Sequence, residues 1–239
     1  MATYRNRPNV GLTDNSNGGP PTRSSWYGDA YSVGVGPGNQ GVGDEGSYFV
    51  AANATLATGI AGHAAPVVAD TDTKPLLHLF NGGQRHIVLS HLFLEVTAAG
   101  TAGSLHYTTI YTDNNGSSSR TSGGTAITPV ASRSDGPFST GATVYFGAVV
   151  AAPTNSRKVG QQIVREVIPV VQDTVLMVFG AQPGAAHSGL TTAGTATNHA
   201  VQFFAPIVIA PGGNVGIAQI RPSQSAASSY QFELGYYER

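Results

Sequence analysis

Between Leu76 and Pro129 the chain alternates apolar runs with short polar breaks. Leu76–Phe80 is stopped by Asn81-Gly82-Gly83-Gln84, His86–Val96 by the segment from Ala98 to Gly103, and Leu105–Thr112 by Asp113-Asn114-Asn115-Gly116. β-Branched and aromatic residues fill the runs and turn-formers fill the gaps, the pattern of successive antiparallel strands. In the third run Leu105, Tyr107, Thr109 and Tyr111 share one face. His106, Thr108 and Thr112 lie on the other beside Ile110, which predicts a sheet with a buried and a wetter side. The second run does not alternate cleanly. Ile87, Leu89 and Phe93 fall on one face, and Val88, Leu92, Leu94 and Val96 on the other. Either both faces are covered, or a bulge near Ser90-His91 swaps them.

The rest of the chain after Tyr48 continues in the same manner. Short strands are predicted at Tyr48–Ala51, Val144–Val150, Gln162–Val171 and Thr174–Phe179, with Pro169 marking an edge or an end. Further strands are predicted at His199–Ile209, with Val201, Phe203, Ile207 and Ile209 on one face, at Val215–Ile220 and at Ser229–Glu238. In the last, Tyr230, Phe232, Leu234 and Tyr236 alternate with Gln231, Glu233 and Gly235. Residues 64–74 read as a loop, Asn114–Gly141 as a turn-rich segment, Pro153–Ser156 as a turn and Gly180–Asn198 as a long small-residue loop. No segment carries a helical stripe. Spaced strands with Gly/Pro turns predict an all-β fold, an antiparallel β-sandwich of jelly-roll-like form over residues 47–239.

Residues 1–46 have neither period. Pro8, Pro20, Pro21 and Pro37 punctuate them, and Gly34–Gly46 is nearly half glycine, so they read as an extended Gly/Pro-rich N-terminal arm. Trp26, Tyr27 and Tyr31 are hydrophobic anchors within it, and are the candidate partner-contact residues.

Ser122-Gly123-Gly124-Thr125-Ala126-Ile127-Thr128-Pro129-Val130, with Leu79-Phe80-Asn81-Gly82-Gly83 and the long apolar strand after it, resembles a group of tailed-bacteriophage virion proteins. These are head decoration (cement) proteins or structural proteins, and the similarity runs loosely from about Tyr48 to the C-terminal strand. The resemblance implies a β-sandwich on the exterior of an assembled capsid, made in the host cytoplasm, with the major capsid protein as its partner.

Composition changes the picture in three ways. The 239 residues contain no cysteine, so there is no disulfide or thiolate zinc site, and a core must stand on packing. Net charge is −1, which argues against binding nucleic acid by phosphate neutralisation. Charged residues make up only 10%, against about 25% in ordinary soluble domains. Such a surface is poorly protected from self-association. Together with the resemblance, this predicts a homotrimer in the assembled particle, for which a three-fold junction would be the natural seat. Met1–Pro20 has no apolar core of a secretory leader, and no window approaches the ~18 apolar residues of a membrane span.

Candidate chemistry is sparse, and neither an enzyme nor a cofactor is expected. Gly36-Pro37-Gly38-Asn39-Gln40-Gly41 matches the letters of a dinucleotide fingerprint without the strand and helix its physics requires. His63, His78, His86, His91, His106, His187 and His199 form no metal-binding pair by spacing. Only His78, His86 and His106 could meet across neighbouring strands. Asp70-Thr71-Asp72 lacks the remaining ligands of a calcium loop. Glu95, Glu166 and Glu233 are strand carboxylates that glycosidase chemistry would need face to face. Trp26, Tyr107, Tyr111, Tyr236 and Tyr237 could stack on sugars, but core or interface packing is the simpler role. The rival function is a tail or head-fibre component binding a host-surface glycan.

Overall fold

The computed structural model describes residues 46–53, 58–63, 65–102, 106–114, 120–135, 139–151, 155–163, 170–180 and 199–239, and the backbone alone at 23–24, 30–31, 164 and 184–188. The chain divides into two units, Met1–Gly41 and Val42–Arg239. In the first, β1 (Arg23–Ser24) pairs antiparallel with β2 (Ala30–Tyr31), Arg23 opposite Tyr31.

The second unit is all-β, with no helix among the described residues. Its strands are β3 (Tyr48–Ala52), β4 (Ile60–Ala61), β5 (Leu77–Asn81), β6 (Ile87–Ala98), β7 (His106–Asp113), β8 (Arg120–Ile127), β9 (Val130–Ala131) and β10 (Ala142–Val150). They continue with β11 (Arg157–Val164), β12 (Thr174–Phe179), β13 (Gly184–Ser188), β14 (His199–Phe204), β15 (Val208–Ile209), β16 (Asn214–Ile220) and β17 (Ser229–Glu238). One sheet has the order β11-β7-β16-β5-β10-β8. The other has β13-β14-β12-β6-β17-β3-β9, with β15 on β6 and β4 on β17. The two pack face to face as a β-sandwich.

Aromatic side chains from both sheets fill the space between. Phe146 of β10 stacks on Phe232 of β17 with centroids 4.7 Å apart, and Phe49 stacks on Tyr236 at 5.7 Å. Around them lie Leu77, Leu79, Leu92, Leu94, Ile110, Met177, Val215 and Ile217, all sealed from solvent.

Of the two readings of the run His86–Val96, the structure has the bulge. Gly235 of β17 is opposite His91 while Tyr236 is opposite Leu89, so Ser90 is the extra residue. Before it Ile87 and Leu89 point into the core, and after it Leu92, Leu94 and Val96 do. One inserted residue reverses the parity, which is why the run did not alternate.

Several expectations are corrected. The face of β7 carrying His106, Thr108 and Ile110 is buried in the core rather than being the wetter one, while Tyr107 and Tyr111 are only half-buried on the other side. The polar groups are accommodated because Gln219 bridges them: His106 Nε2 bonds its Oε1, and its Nε2 donates to Thr108 Oγ1 at 3.0 Å. On β14 the core side holds Ala200, Gln202 and Phe204, so Val201 and Phe203 face outward. β11 starts at Arg157, earlier than predicted. Strands β8 and β9, within the segment read as turn-rich, and β13, within the one read as a long loop, were not predicted. β8 is exposed along its length, so no apolar alternation announces it. One pairing among the described residues departs from antiparallel: β12 and β14 run parallel, with β13 between them in the chain and antiparallel to β14.

The outer side of the six-stranded sheet is covered by the segment 65–76. Val67 O accepts from Arg221 N at 2.9 Å, Thr73 O from Val150 N at 3.0 Å and Leu76 O from Gly147 N at 2.6 Å. Asp70 accepts hydrogen bonds from Tyr111 Oη and Lys158 Nζ. Burial alone would raise the Asp70 carboxyl, but those two donors and the Lys158 charge outweigh it and hold it below its ordinary pKa. Pro75 lies over Gly216, in a strand all of whose seven residues are buried.

Stability is expected to fall in mild acid. Burial pushes the His106 imidazole well below its ordinary pKa of 6.5; Arg221 adds to this and Asp173 opposes it. Burial also lowers His63. Each imidazole binds a proton more readily in the unfolded chain, so its stabilisation is intact above pH 6.5 and is lost as pH falls below it. The slope is up to about 1.4 kcal/mol per pH unit per group. Urea midpoints at pH 7.5 and pH 5 check this, and His106→Gln should flatten the difference. Equal midpoints for the unsubstituted chain would contradict it.

Candidate interaction face

The outward surface of the nine-stranded sheet is a continuous field assembled from five strands. Alternation places Leu92, Leu94, Val175, Met177, Ala200 and Phe204 in the core. The residues between them therefore face away from it. Registers align these outward residues in rows. One row runs Val50, Gly235, His91, Val178, Phe203, and the next Ala52, Glu233, Phe93, Leu176, Val201. Gln231, Glu95, Thr174 and His199 form a polar border. Val50, Phe93, Leu176, Val178, Val201 and Phe203 are all half-buried. Phe93, Leu176, Val178, Val201 and Phe203 form a contiguous apolar strip with a polar rim on one side, and Val50 lies beyond Gly235 and His91.

The bulge at Ser90 sets the chemistry in the middle of this face, because it turns His91 outward. His91 Nε2 lies 3.2 Å from Glu233 Oε1, and Tyr48 Oη 3.3 Å from His91 Nδ1. The histidine is 27% exposed and the glutamate 52%, so the pair is a solvent-screened one of small energetic weight. Burial raises the Tyr48 phenol above its ordinary pKa, with Ser90 opposing and Glu233 reinforcing the rise. Gly235 makes the cluster possible: a Cβ there would lie 2.2 Å from Tyr48 Oη and 2.4 Å from His91 Cε1. On the rim Thr174 Oγ1 and His199 Nδ1 are 2.7 Å apart.

The sequence-predicted site residues disperse. Trp26, Tyr27 and the Tyr31 side chain lie outside the described residues, as do Glu166, the His187 side chain and residues 36–41. His78 sits on β5 beneath the covering segment, His106 lies between the sheets, and His86 exchanges backbone bonds with Arg239 at the head of β6. These three do not meet, and the described residues contain no group of three His, Asp or Glu suited to a metal ion. His63 bonds Pro75 O at 3.1 Å. Tyr107 and Tyr111 are on the other sheet, Tyr236 is fully buried and Tyr237 half-buried.

Glu95 and Glu233 are brought together. Glu95 is opposite Gln231 and Glu233 opposite Phe93, which makes the two carboxylates diagonal neighbours on one face. They stand on an open sheet surface rather than across a cleft. Sequence reasoning missed the buried group of His106, Gln219, Arg221 and Asp173, which lines a small internal cavity with Tyr230. Its members come from three separate stretches of the chain, at residues 106, 173 and 219–221, and only the packing of the two sheets unites them.

Comparison with known protein families, curated proteins and solved structures gives no match to this chain.

Proposed function

We propose that this chain is a structural protein of a tailed-bacteriophage virion, of the head decoration type, which binds the assembled capsid shell and stabilises it without making or breaking a bond. The observation that supports it best is the apolar strip Phe93, Leu176, Val178, Val201 and Phe203 on an outward sheet face. A face of this kind favours association with another protein surface. Burial of apolar area contributes roughly 25 cal/mol per Å² before association costs, and many repeated copies multiply it. The resemblance at Leu79–Gly83 and Ser122–Val130 and the low charge point the same way. In this reading the major capsid protein is the partner, Trp26, Tyr27 and Tyr31 add anchoring contacts, and the protein sits as a homotrimer on the capsid exterior.

The test is retention on heated particles. Leu176→Asp should leave a folded domain yet weaken attachment by at least about tenfold, since a charge in the centre of a hot spot removes about 2 kcal/mol or more. Trp26→Ala should also weaken it, whereas Glu95→Gln and His91→Ala should have little effect. With so few charges, attachment should change only modestly between low and high salt. Hundreds of copies per particle on the shell are expected. A few or a dozen copies at the tail, or a hydrolytic activity lost in Glu95→Gln, would overturn the reading.

A further inference from the structure

Gln202 of β14 is 0% exposed, and neither its Oε1 nor its Nε2 has a hydrogen-bond partner among the described residues. It is opposite Met177 of β12 and shares the core side with Ala200 and Phe204. Across the interior, Gln162 of β11 is the partner of Thr108 in the β7–β11 register, so it too points inward. Its Nε2 donates to Phe203 O at 2.6 Å, which brings the two glutamines to one seam between the sheets. The Oε1 of Gln162 is also buried without a partner among the described residues. Phe204 packs against the backbone of β11 beside them: a Cβ on Gly160 would lie 2.7 Å from its Cδ1.

This seam is costly to keep closed. A side-chain amide carries two donor hydrogens and an acceptor oxygen. In the closed sandwich Gln202 is stripped of water and gains no bond in exchange, so an opening that readmits water to it is favoured by that difference. Its place in the sheet adds to this. β14 has only β13 beyond it, and on its inner side it is held by a single pairing, to β12, in the parallel arrangement that is slightly less stable per residue. β6 and β17 are each flanked on both sides by antiparallel neighbours. Local opening starts where the closed form is least favoured.

We propose that β14 parts from β12 and β11 and recloses within the folded protein, so that the apolar strip is complete only in the closed form. Val201 lies beside Leu176, and Phe203 beside Val178, through the β12–β14 register alone. A partner surface seated on the strip meets all five side chains only when β14 is closed, and that differential contact holds it there. This second step rests on the reading of the strip as the shell-binding face; the opening itself does not.

The experiment is hydrogen exchange of the full chain, read by mass spectrometry on peptides covering β14, β6 and β17, free and on capsid particles. In the free chain β14 should exchange at least about tenfold faster than β6 and β17. Gln202→Leu should slow β14 by about tenfold, the scale of an unsatisfied buried amide, because an apolar side chain gains nothing from opening. Gln202→Met serves the same purpose should the leucine variant fail to fold, and Val130→Ala, on the exposed strand β9, should change nothing. Exchange of β14 at the rate of β6 and β17 would overturn the proposal. So would folded Gln202→Leu and Gln202→Met proteins that exchange as fast as the unsubstituted chain, since the amide would then be satisfied in the closed form. On particles β14 should slow to the rate of β6, and a bound chain whose β14 still exchanges fast would overturn the coupling. A chain that does not bind particles counts against the shell-binding reading alone, with the opening decided by the rates in the free chain.

Discussion

Phe146→Ala is expected to destabilise the sandwich by about 3–5 kcal/mol, a large fraction of the stability of an ordinary domain. Phe146 belongs to the six-stranded sheet and Phe232 to the nine-stranded one; both are sealed from solvent, and they stack at 4.7 Å with an interplanar angle of 14°. Tyr230 closes the same cluster at 6.2 Å from Phe146. Truncating Phe146 removes apolar contacts to both sheets at once and leaves a void that rigid strands cannot close. Phe232→Ala should be of similar size, and the double variant should fall short of the sum by about 0.5–1.5 kcal/mol, the worth of a stacked pair beyond its area. Urea unfolding of the four proteins measures this cycle. A Phe146→Ala midpoint indistinguishable from that of the unsubstituted chain would show that the two sheets are not joined through this contact.

Gly147→Ala is expected to be nearly as damaging, for a different reason. Gly147 has φ of 75°, and its amide donates to Leu76 O at 2.6 Å. A Cβ would stand 1.7 Å from Gly62 O and 2.7 Å from Gly62 C, so the backbone of another segment occupies the place of the side chain. The left-handed conformation costs about 1–2 kcal/mol for a residue with a Cβ. The clash adds to it, because the backbone at Gly62 must shift to admit the side chain. Gly212 supplies the comparison. Its φ is 76°, yet nothing lies within 4 Å of its Cβ position, so Gly212→Ala should show the conformational part alone, about 1 kcal/mol. Thermal or urea unfolding of both variants separates the two contributions, and equal losses would mean that the contact with Gly62 is of no consequence.

The outward face and the cavity at the end of β7, lined by Asp113 and Asn214, differ in how far they could be read from residues. The apolar strip needed the parity of three strands. Phe93 and Leu176 were visible as apolar residues in strands, but Val201 and Phe203 were grouped on one face with Ile207 and Ile209, which lie in the core while they do not. A fully buried Gln202 is why: an amide on the core side and two apolar side chains on the outer side invert the usual signal. His106 and Thr108 misled in the same way, since their letters are polar and their surroundings are not. Asp113, Asn114 and Asn115 were legible only as a turn. That Asp113 meets Asn214 a hundred residues later is a matter of register, which no local pattern carries.

What the sequence determined by itself was the class of structure and the spacing of most strands, because period-two alternation and turn chemistry act over a few residues. β5, β6, β10, β12, β16 and β17 were all foreshadowed by that signal, and the Ser90 bulge was visible as a break in it. The absence of cysteine and the scarcity of charge likewise follow from composition alone. The tertiary structure decided which strands are neighbours, which face of β7 and β14 is buried, the parallel pairing of β12 with β14, and the existence of β8, β9 and β13. Those outcomes depend on contacts between segments far apart in the chain. A strand exposed on both sides leaves no hydrophobic period, and a polar side chain satisfied by a distant partner leaves a false one.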